Sequence, residues 1–296
     1  MERLQNPFSL YDFLGYLIPG SFGLYCFLIL TIPEDIKVGN VLSYHDLDGY
    51  DDALLLIILC YIIGHLISYL SSISIENFSV WSLGYPSKYL LHVPSKGYWD
   101  SAFYDDVGSN EYMIRITSRA IIYIFLLPIS LLDDVIGKCL YARLFYSRKL
   151  DTYTKDIITE RVIKGIDGIP GLDILKSDIR ENDFFRIIYH YCLENVSSHQ
   201  NKFQNYVSLY GLMRAISLIF LTLFWVTIFI ETPYQNWLIV SVTGILSYIS
   251  YMAYNKFSRR FTLEVLMSFV TIKSKQDNNF TYTSDLSNYT GSSGST

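Results

Sequence analysis

The chain has 296 residues, of which 51% are hydrophobic and only 17% are charged. This composition is too apolar and too poor in charge for an ordinary soluble domain, so it indicates a membrane protein. The formal net charge is -5 and no long basic run is present, so duplex DNA is not an expected partner. The four cysteines form no CxxC pair, which predicts a reducing compartment and no cysteine metal site. No cofactor and no other metal site are predicted.

Four apolar stretches have about the twenty residues that are needed to cross the bilayer core. They cover residues 10–32, 53–73, 212–230 and 236–254. The short link between the last two stretches predicts a helical hairpin. The sequence thus predicts a mainly α fold: a four-span α-helical membrane protein with an inserted, mostly helical cytoplasmic domain.

These stretches divide the chain into five predicted parts. The first and second transmembrane helices with a short outer link are expected in residues 1–73, the cytoplasmic domain in 74–208, and the third and fourth transmembrane helices in 209–254. An amphipathic juxtamembrane helix is expected in residues 255–275. Residues 276–296 are expected to be a disordered tail, whose closing GSSGST is typical of an appended linker.

Lysine and arginine residues near the span ends predict the orientation, because cytoplasmic flanks are enriched in them. The outer link of residues 33–52 is acidic and contains Lys37 as its single base. The segment after the fourth span instead carries several bases, Arg259 and Arg260 among them. This distribution predicts a multi-pass protein of the bacterial inner membrane with both termini and the inserted domain in the cytoplasm.

The first span contains a proline, Pro19, which removes the amide that would bond to the carbonyl of Gly15. Membrane helices tolerate such a break where neighbouring groups or water satisfy the freed carbonyl. A kink is therefore expected between Gly15 and Gly20.

Polar side chains recur at helical spacing in the second and fourth spans. This polar face comprises Tyr61, His65, Ser68, Ser72, Ser247 and Tyr251. Such a face points towards protein or water and away from lipid. Two interpretations stay open, interhelical hydrogen bonding and a water-lined path. The third span has few polar residues, and it is the candidate lipid-facing helix.

The outer link is acidic at Asp46, Asp48, Asp51 and Asp52. The spacing resembles the start of a calcium loop, but Ile57 occupies the position where a bidentate glutamate is required. In an oligomer, these carboxylates would form an acidic ring at the outer mouth that concentrates cations. The alternative is a solvated polar loop.

Two further segments have more than one possible location. Residues 120–132 are apolar but too short to span the bilayer unaided. They fit a buried core helix, a helix on the membrane surface or a re-entrant segment. The apolar stripe within residues 257–272 either lies on the headgroups or docks on the inserted domain.

The sequence contains no pattern typical of catalysis at a convincing spacing, so no catalytic residue is predicted. Asp133 and Asp134 are adjacent and diverge on a helix, which makes them poor partners for acid and base chemistry. Arg186 and His190 share a helix face but are more typical of a surface pair. A membrane-bound enzyme that processes nucleotides or lipids is a minor alternative.

Two stretches carry a resemblance to known proteins: NPFSLYDFLGYLIPG at residues 6–20 and YNKFSRRFTLEVLMSF at residues 254–269. Their interfacial aromatics, Pro-Gly kink and juxtamembrane bases resemble small bacterial multi-pass membrane effectors of anti-phage defence systems. Such effectors are partnered with a nucleotide-polymerising or signal-generating enzyme. The Hailong type, whose channel opens on infection, is one candidate. The resemblance covers these stretches alone, and no ligand-binding residue carries over from it.

Four spans are too few to enclose a water-filled path, so conduction requires several subunits around the path. The leading hypothesis is a homo-oligomeric channel or pore, gated by a ligand or partner and acting as an anti-phage effector that depolarises or permeabilises the inner membrane. The expected partners are the lipid bilayer, further copies of the chain, and a cytoplasmic protein or a nucleotide or oligonucleotide ligand. The alternative is a non-conducting membrane anchor that recruits a cytoplasmic enzyme.

Overall fold

A computed structural model describes residues 10–32, 37–47, 49–102, 109–167, 184–195, 199–229 and 237–290, without the side chains of 38, 50, 51, 109, 166, 167 and 273–290. Within these ranges the chain is helical and contains no β-strand. Four helices are long and apolar enough to cross a membrane, or five if one bent helix pair is a span. The predictions of a mainly α fold and of four membrane helices are confirmed.

The four membrane helices are named by their order in the chain. The first is Leu10–Thr31, and it consists of α-helical Leu10–Asp12, π-helical Phe13–Leu17 and α-helical Ile18–Thr31. The second begins with Tyr50–Ser71 and continues through π-helical Ser72–Glu76 into Asn77–Leu83. The third is Gln200–Phe229 and the fourth is Trp237–Thr290. Shorter elements are Val38–Asn40, Val41–Tyr44, Pro86–Tyr89, Asp100–Ala102, Arg143–Tyr146, Thr152–Asp167 and Phe185–Asn195.

The third membrane helix lies at the centre of the bundle. It packs along the fourth helix and also contacts the first and second. Two of its small residues, Ala215 and Ser217, are fully buried. Small side chains at these positions let the neighbouring helices approach closely. The prediction that this helix faces lipid is therefore wrong. The broad exposed apolar face belongs to the second helix, at Leu54, Leu55, Ile58, Ile62, Leu66 and Tyr69.

The first and second membrane helices cross at two glycines that face each other's backbone. A Cβ added to Gly20 would lie 1.8 Å from the carbonyl oxygen of Cys60. A Cβ added to Gly64 would lie 1.9 Å from the carbonyl oxygen of Tyr16. Both distances are far below van der Waals contact, so this crossing has no room for any side chain at either position.

The apolar run at residues 120–132 belongs to a bent helix pair, Asn110–Phe125 and Leu127–Cys139, whose arms are bent by 86°. The bend packs against the fourth membrane helix, where a Cβ added to Gly244 would lie 3.5 Å from the Cβ of Pro128. The run is therefore not a helix that lies on the membrane surface along its whole length. Its bend is buried among the membrane helices.

Side chains satisfy the backbone at this bend. Pro128 has no amide hydrogen, so the helical hydrogen-bond ladder is interrupted there. The hydroxyl of Ser130 donates to the carbonyl of Tyr123 at 3.1 Å. The indole nitrogen of Trp225 donates to the carbonyl of Phe125 at 2.7 Å. Because hydrocarbon offers no hydrogen bonds, these two contacts make a helix break tolerable among membrane helices.

The second half of the fourth membrane helix joins the core of the inserted segment. Phe261, Val265 and Phe269 are 8%, 0% and 3% exposed. They pack in one apolar cluster with side chains of Thr152–Asp167 and Phe185–Asn195. The juxtamembrane stripe therefore docks on the inserted segment. Of the two locations that the sequence left open, the headgroups and the inserted segment, the structure shows the second.

The backbone of the fourth membrane helix continues to Thr290, which differs from the disordered tail expected from residue 276 onwards. A helix that is already nucleated extends at little cost. No glycine or proline lies between Gly244 and Gly291 to interrupt it. Residues 291–296, the predicted linker, lie outside the described residues.

Replacing Gly64 with alanine is expected to destabilise the protein by roughly 2 kcal/mol, because the added methyl group would push the two helices apart. The measurement is the thermal midpoint of the detergent-solubilised protein. It is read from the size-exclusion peak that remains after heating to a series of temperatures. Gly39→Ala is the matched control, since a Cβ there meets no atom within 4 Å. Equal midpoints for the two variants would contradict the close crossing.

Candidate functional site

The predicted polar residues of the second membrane helix form one column along its surface. Tyr61, His65, Ser68 and Ser72 follow each other at helical spacing and so share a face. His65 is exposed, whereas the other three are half-buried. The polar column therefore runs along the border between the buried face of the helix and its exposed apolar face.

Aromatic rings from two helices hold His65 in place. Its imidazole stacks on the ring of Tyr16 with centroids 3.8 Å apart and planes inclined by 20°. The ring of Tyr61 meets it edge-on at 4.6 Å. The hydroxyl of Tyr16 in turn donates to the hydroxyl of Tyr11 at 3.3 Å. The first membrane helix thus covers one face of the imidazole and Tyr61 lies against its edge, while the residue as a whole stays exposed.

Beside Ser68, the polar column meets an ion pair between Glu76 and Arg214. The guanidinium Nη1 of Arg214 donates to the carboxylate of Glu76. Its Nη2 lies 3.4 Å from the carbonyl oxygen and 3.5 Å from the hydroxyl of Ser68. Arg214 is only 9% exposed. The ion pair therefore connects the second and third membrane helices next to Ser68 of the polar column. It also neutralises the buried charge of Arg214.

The ion pair between Glu76 and Arg214 was not predicted from the sequence. Arg214 lies inside the third apolar stretch, and a lone arginine in a membrane span needs a counter-charge. Glu76 follows the second apolar stretch and was an available partner. The sequence thus indicated that Arg214 needs a counter-charge. It did not indicate that the partner is Glu76, which lies 138 positions away.

A second buried cluster surrounds Asp133 in the bent helix pair. Its carboxylate is 1% exposed and accepts hydrogen bonds from the hydroxyl of Tyr146 and the guanidinium of Arg143. Burial raises the pKa of Tyr146, so its hydroxyl stays protonated and donates. Asp134 turns the other way and accepts a hydrogen bond from Tyr123 at 2.5 Å. The expected divergence of the two carboxylates is confirmed, and the cluster joins the two ends of the segment from Asp133 to Tyr146.

The predicted polar residues of the fourth membrane helix lie inside the helix bundle. Ser247 and Tyr251 are both fully buried. The hydroxyls of Ser217 and Ser247 each donate to the other's carbonyl, at 2.9 and 3.0 Å. The ring of Tyr251 packs 5.7 Å from that of Phe78. Ser247 and Tyr251 therefore hold helices of the bundle together, and they do not belong to the polar column on the second helix.

The predicted kink residues have separate roles. Gly15 lies in the π-helical segment Phe13–Leu17, which ends two residues before Pro19. The amide of Ile18 donates to the carbonyl of Phe13, which is the wider π-helical spacing. Gly20 instead makes the close contact with the second helix that is described above.

The outer acidic residues are only partly described by the structure. Asp46 is exposed and has a left-handed backbone with φ of 52°. Asp52 lies in the first turn of the second helix, where a carboxylate is favourable for the helix dipole. Asp48 and the side chain of Asp51 lie outside the described residues. In the described part of the chain, no group of three or more His, Cys, Asp or Glu residues could hold a metal ion.

Comparisons with known proteins assign no family to this chain. No protein-family model matches the sequence, no curated protein is significantly similar to it, and no solved structure matches its fold. Its function is therefore proposed from the geometry of the described residues.

Glu76→Gln is expected to lower the free energy of unfolding by about 3 kcal/mol, because it leaves the charge of Arg214 buried without a counter-charge. Arg214→Met should cost less, since the side chain of Glu76 is 41% exposed and can be neutralised by protonation. The double variant should lose less than the sum of both single variants. Thermal midpoints of the four proteins measure this coupling, and strictly additive losses would contradict a direct pairing.

Proposed function

We propose that the protein is a homo-oligomeric membrane channel or pore that a cytoplasmic ligand or partner opens. The observation that carries this proposal is the outward position of His65. It follows Asp52 by thirteen residues, or about 20 Å of helix, within a hydrocarbon core of about 30 Å. Ionisable residues at such depth face protein or water. A second copy of the chain, with water between the copies, would supply that environment.

The packing of one subunit supports a path between subunits. The third membrane helix occupies the centre of the bundle, so a path lined by the polar column has to run along the outer surface of the second helix. The exposed apolar face from Leu54 to Tyr69 lies beside the column and offers the contact area for a neighbouring copy. Several second helices around one axis would then line the water-filled path.

Continuous helices support gating from the inserted segment. The third membrane helix begins at Gln200, where its residue Phe203 belongs to the core of the inserted segment. It then runs uninterrupted to Arg214, which holds Glu76 and contacts Ser68 of the polar column. A ligand that favours one of two packings of that core would shift this helix, and with it the column.

The proposed setting is the bacterial inner membrane, with both termini and the inserted segment in the cytoplasm. Its support is the distribution of lysine and arginine along the chain. The resemblance to anti-phage effectors supports a defence role in which opening depolarises or permeabilises this membrane. The trigger would be a partner protein or a nucleotide or oligonucleotide signal.

A membrane anchor that recruits a cytoplasmic enzyme is the second candidate. It is favoured by an exposed apolar patch in which Leu140, Tyr141, Leu144 and Phe145 are 68%, 72%, 62% and 81% exposed. Large apolar patches of this kind mark surfaces that meet a partner or a membrane. A stable co-purifying enzyme together with ion-tight liposomes would favour the anchor.

The double variant His65→Leu and Ser68→Leu is expected to abolish ion flux while leaving the oligomer intact, because an apolar constriction excludes water. Flux is measured from liposomes that contain the size-characterised protein, with and without cytoplasmic extract of infected cells. Ile62→Leu, one turn away on the exposed apolar face, is the control and should conduct like the unchanged protein. Undiminished flux in the double variant would remove the polar column from the path.

Cys139 is exposed and should react with a membrane-impermeant maleimide in inside-out vesicles but not in intact spheroplasts. Cys192 should stay unlabelled in both, since burial raises the pKa of its thiol to about 12. At pH 8 its reactive thiolate would then be a fraction on the order of 0.0001. The variant Cys139→Ser lacks this thiol and gives the background labelling of the other cysteines. Labelling of Cys139 from the outside would contradict the cytoplasmic placement.

A further inference from the structure

A lateral groove opens between the first three membrane helices, and none of the polar column residues lines it. Its cavity volume is about 330 Å³. The first helix contributes the wall from Gly23 to Leu30, the second contributes Ile67, and the third contributes the wall from Leu218 to Val226. This volume lies within the range of about 300–1,000 Å³ that is typical of sites for small organic ligands.

The groove lies along the apolar part of the spans. Leu218 follows Arg214 by one helical turn, and Val226 lies one turn before the end of the third helix at Phe229. Val226 lies eight residues after Leu218, which corresponds to about 12 Å along the helix axis. On the first helix, Leu30 directly precedes the last residue, Thr31. The groove therefore lies between the ion pair and the far ends of these helices, at the depth of acyl chains.

The chemistry of the lining does not suit water. The hydroxyl of Thr222 donates to the carbonyl of Leu218 at 2.9 Å and is thereby already engaged. The thiol of Cys26 is a weak hydrogen-bonding group. A buried water molecule needs two to four polar partners. An apolar molecule is consequently the occupant that this surface can satisfy.

The mouth of the groove faces sideways into the bilayer. Phe27 and Leu70 belong to its lining and are 63% and 54% exposed. Deeper in, a Cβ added to Gly23 would lie 2.9 Å from Cδ1 of Ile67, so the helices close the groove there. An empty cavity forfeits dispersion contacts along its whole lining. Phospholipid tails are the apolar molecules present at this mouth.

We propose that one acyl chain of a membrane phospholipid occupies this groove as a bound ligand. The chain fills the space between the first and third membrane helices and thereby completes their packing. It differs from the lipid around the rest of the protein because it contacts three helices at once. This lipid site does not depend on ion conduction, so its test is independent of the test of the proposed channel.

The test uses the full chain in phosphatidylethanolamine and phosphatidylglycerol vesicles that contain a phosphatidylcholine with a photoactivatable diazirine in one acyl chain. Crosslinked residues are mapped by peptide mass spectrometry while the mole fraction of this probe is varied. Labelling between Leu218 and Val226 should saturate at a low fraction of probe. Labelling at Ile245 and Ile249, which are 51% and 48% exposed on the fourth helix, should rise in proportion to it. A proportional rise in the groove as well would overturn the proposal.

Two variants fill the groove from opposite walls, Cys26→Phe and Thr222→Phe. Each should reduce the saturable labelling about tenfold, since the bound chain loses its space. Val242→Phe adds the same side chain at a position of the fourth helix that is 43% exposed, and it should leave the labelling unchanged. Undiminished labelling in both filled variants would overturn the proposal, and the saturation measurement on the unchanged protein decides it even if neither variant folds.

Discussion

Inside a bilayer core, a polar group finds a partner only within the protein, and the arrangement of this bundle follows from that constraint. Arg214 is neutralised by Glu76, which places the third helix beside the second. The Ser217 and Ser247 pair joins the third helix to the fourth in the same way. Apolar burial alone would not select these neighbours, because lipid solvates an apolar helix face about as well as another helix does. The polar contacts therefore specify which helices lie side by side.

The same constraint gives the second membrane helix three different surfaces. Gly64 meets the backbone of the first helix so closely that no side chain fits between them. Ile67 faces the apolar groove, which lipid can fill. His65 faces outwards at the edge of the exposed surface, where lipid is a poor partner. One helix thus combines a rigid contact, a lipid-facing groove and a polar column, and the last of these carries the proposal that copies of the chain assemble.

The fourth membrane helix links the bundle to the inserted segment. Near its start it contacts the bent helix pair at Gly244, and Tyr251 then packs on the second helix through Phe78. Further along, Val265 and Phe269 complete the core of the inserted segment. The same helix belongs to that core and to the membrane bundle, so it is a direct mechanical connection between them. This continuity is the structural basis for proposing that a cytoplasmic signal reaches the bilayer.

The sequence by itself determined the positions of the four long apolar helices, since an apolar run of that length has few other stable environments. It also determined the spacing of the polar column around His65, because helical periodicity is a local property. Only the tertiary structure decided that the third helix is central, that the bend near Pro128 is buried, and that the stripe around Val265 docks internally. It alone paired Arg214 with a glutamate 138 residues away. Hydrophobic length and periodicity are encoded within one segment, whereas burial and pairing depend on which segments become neighbours.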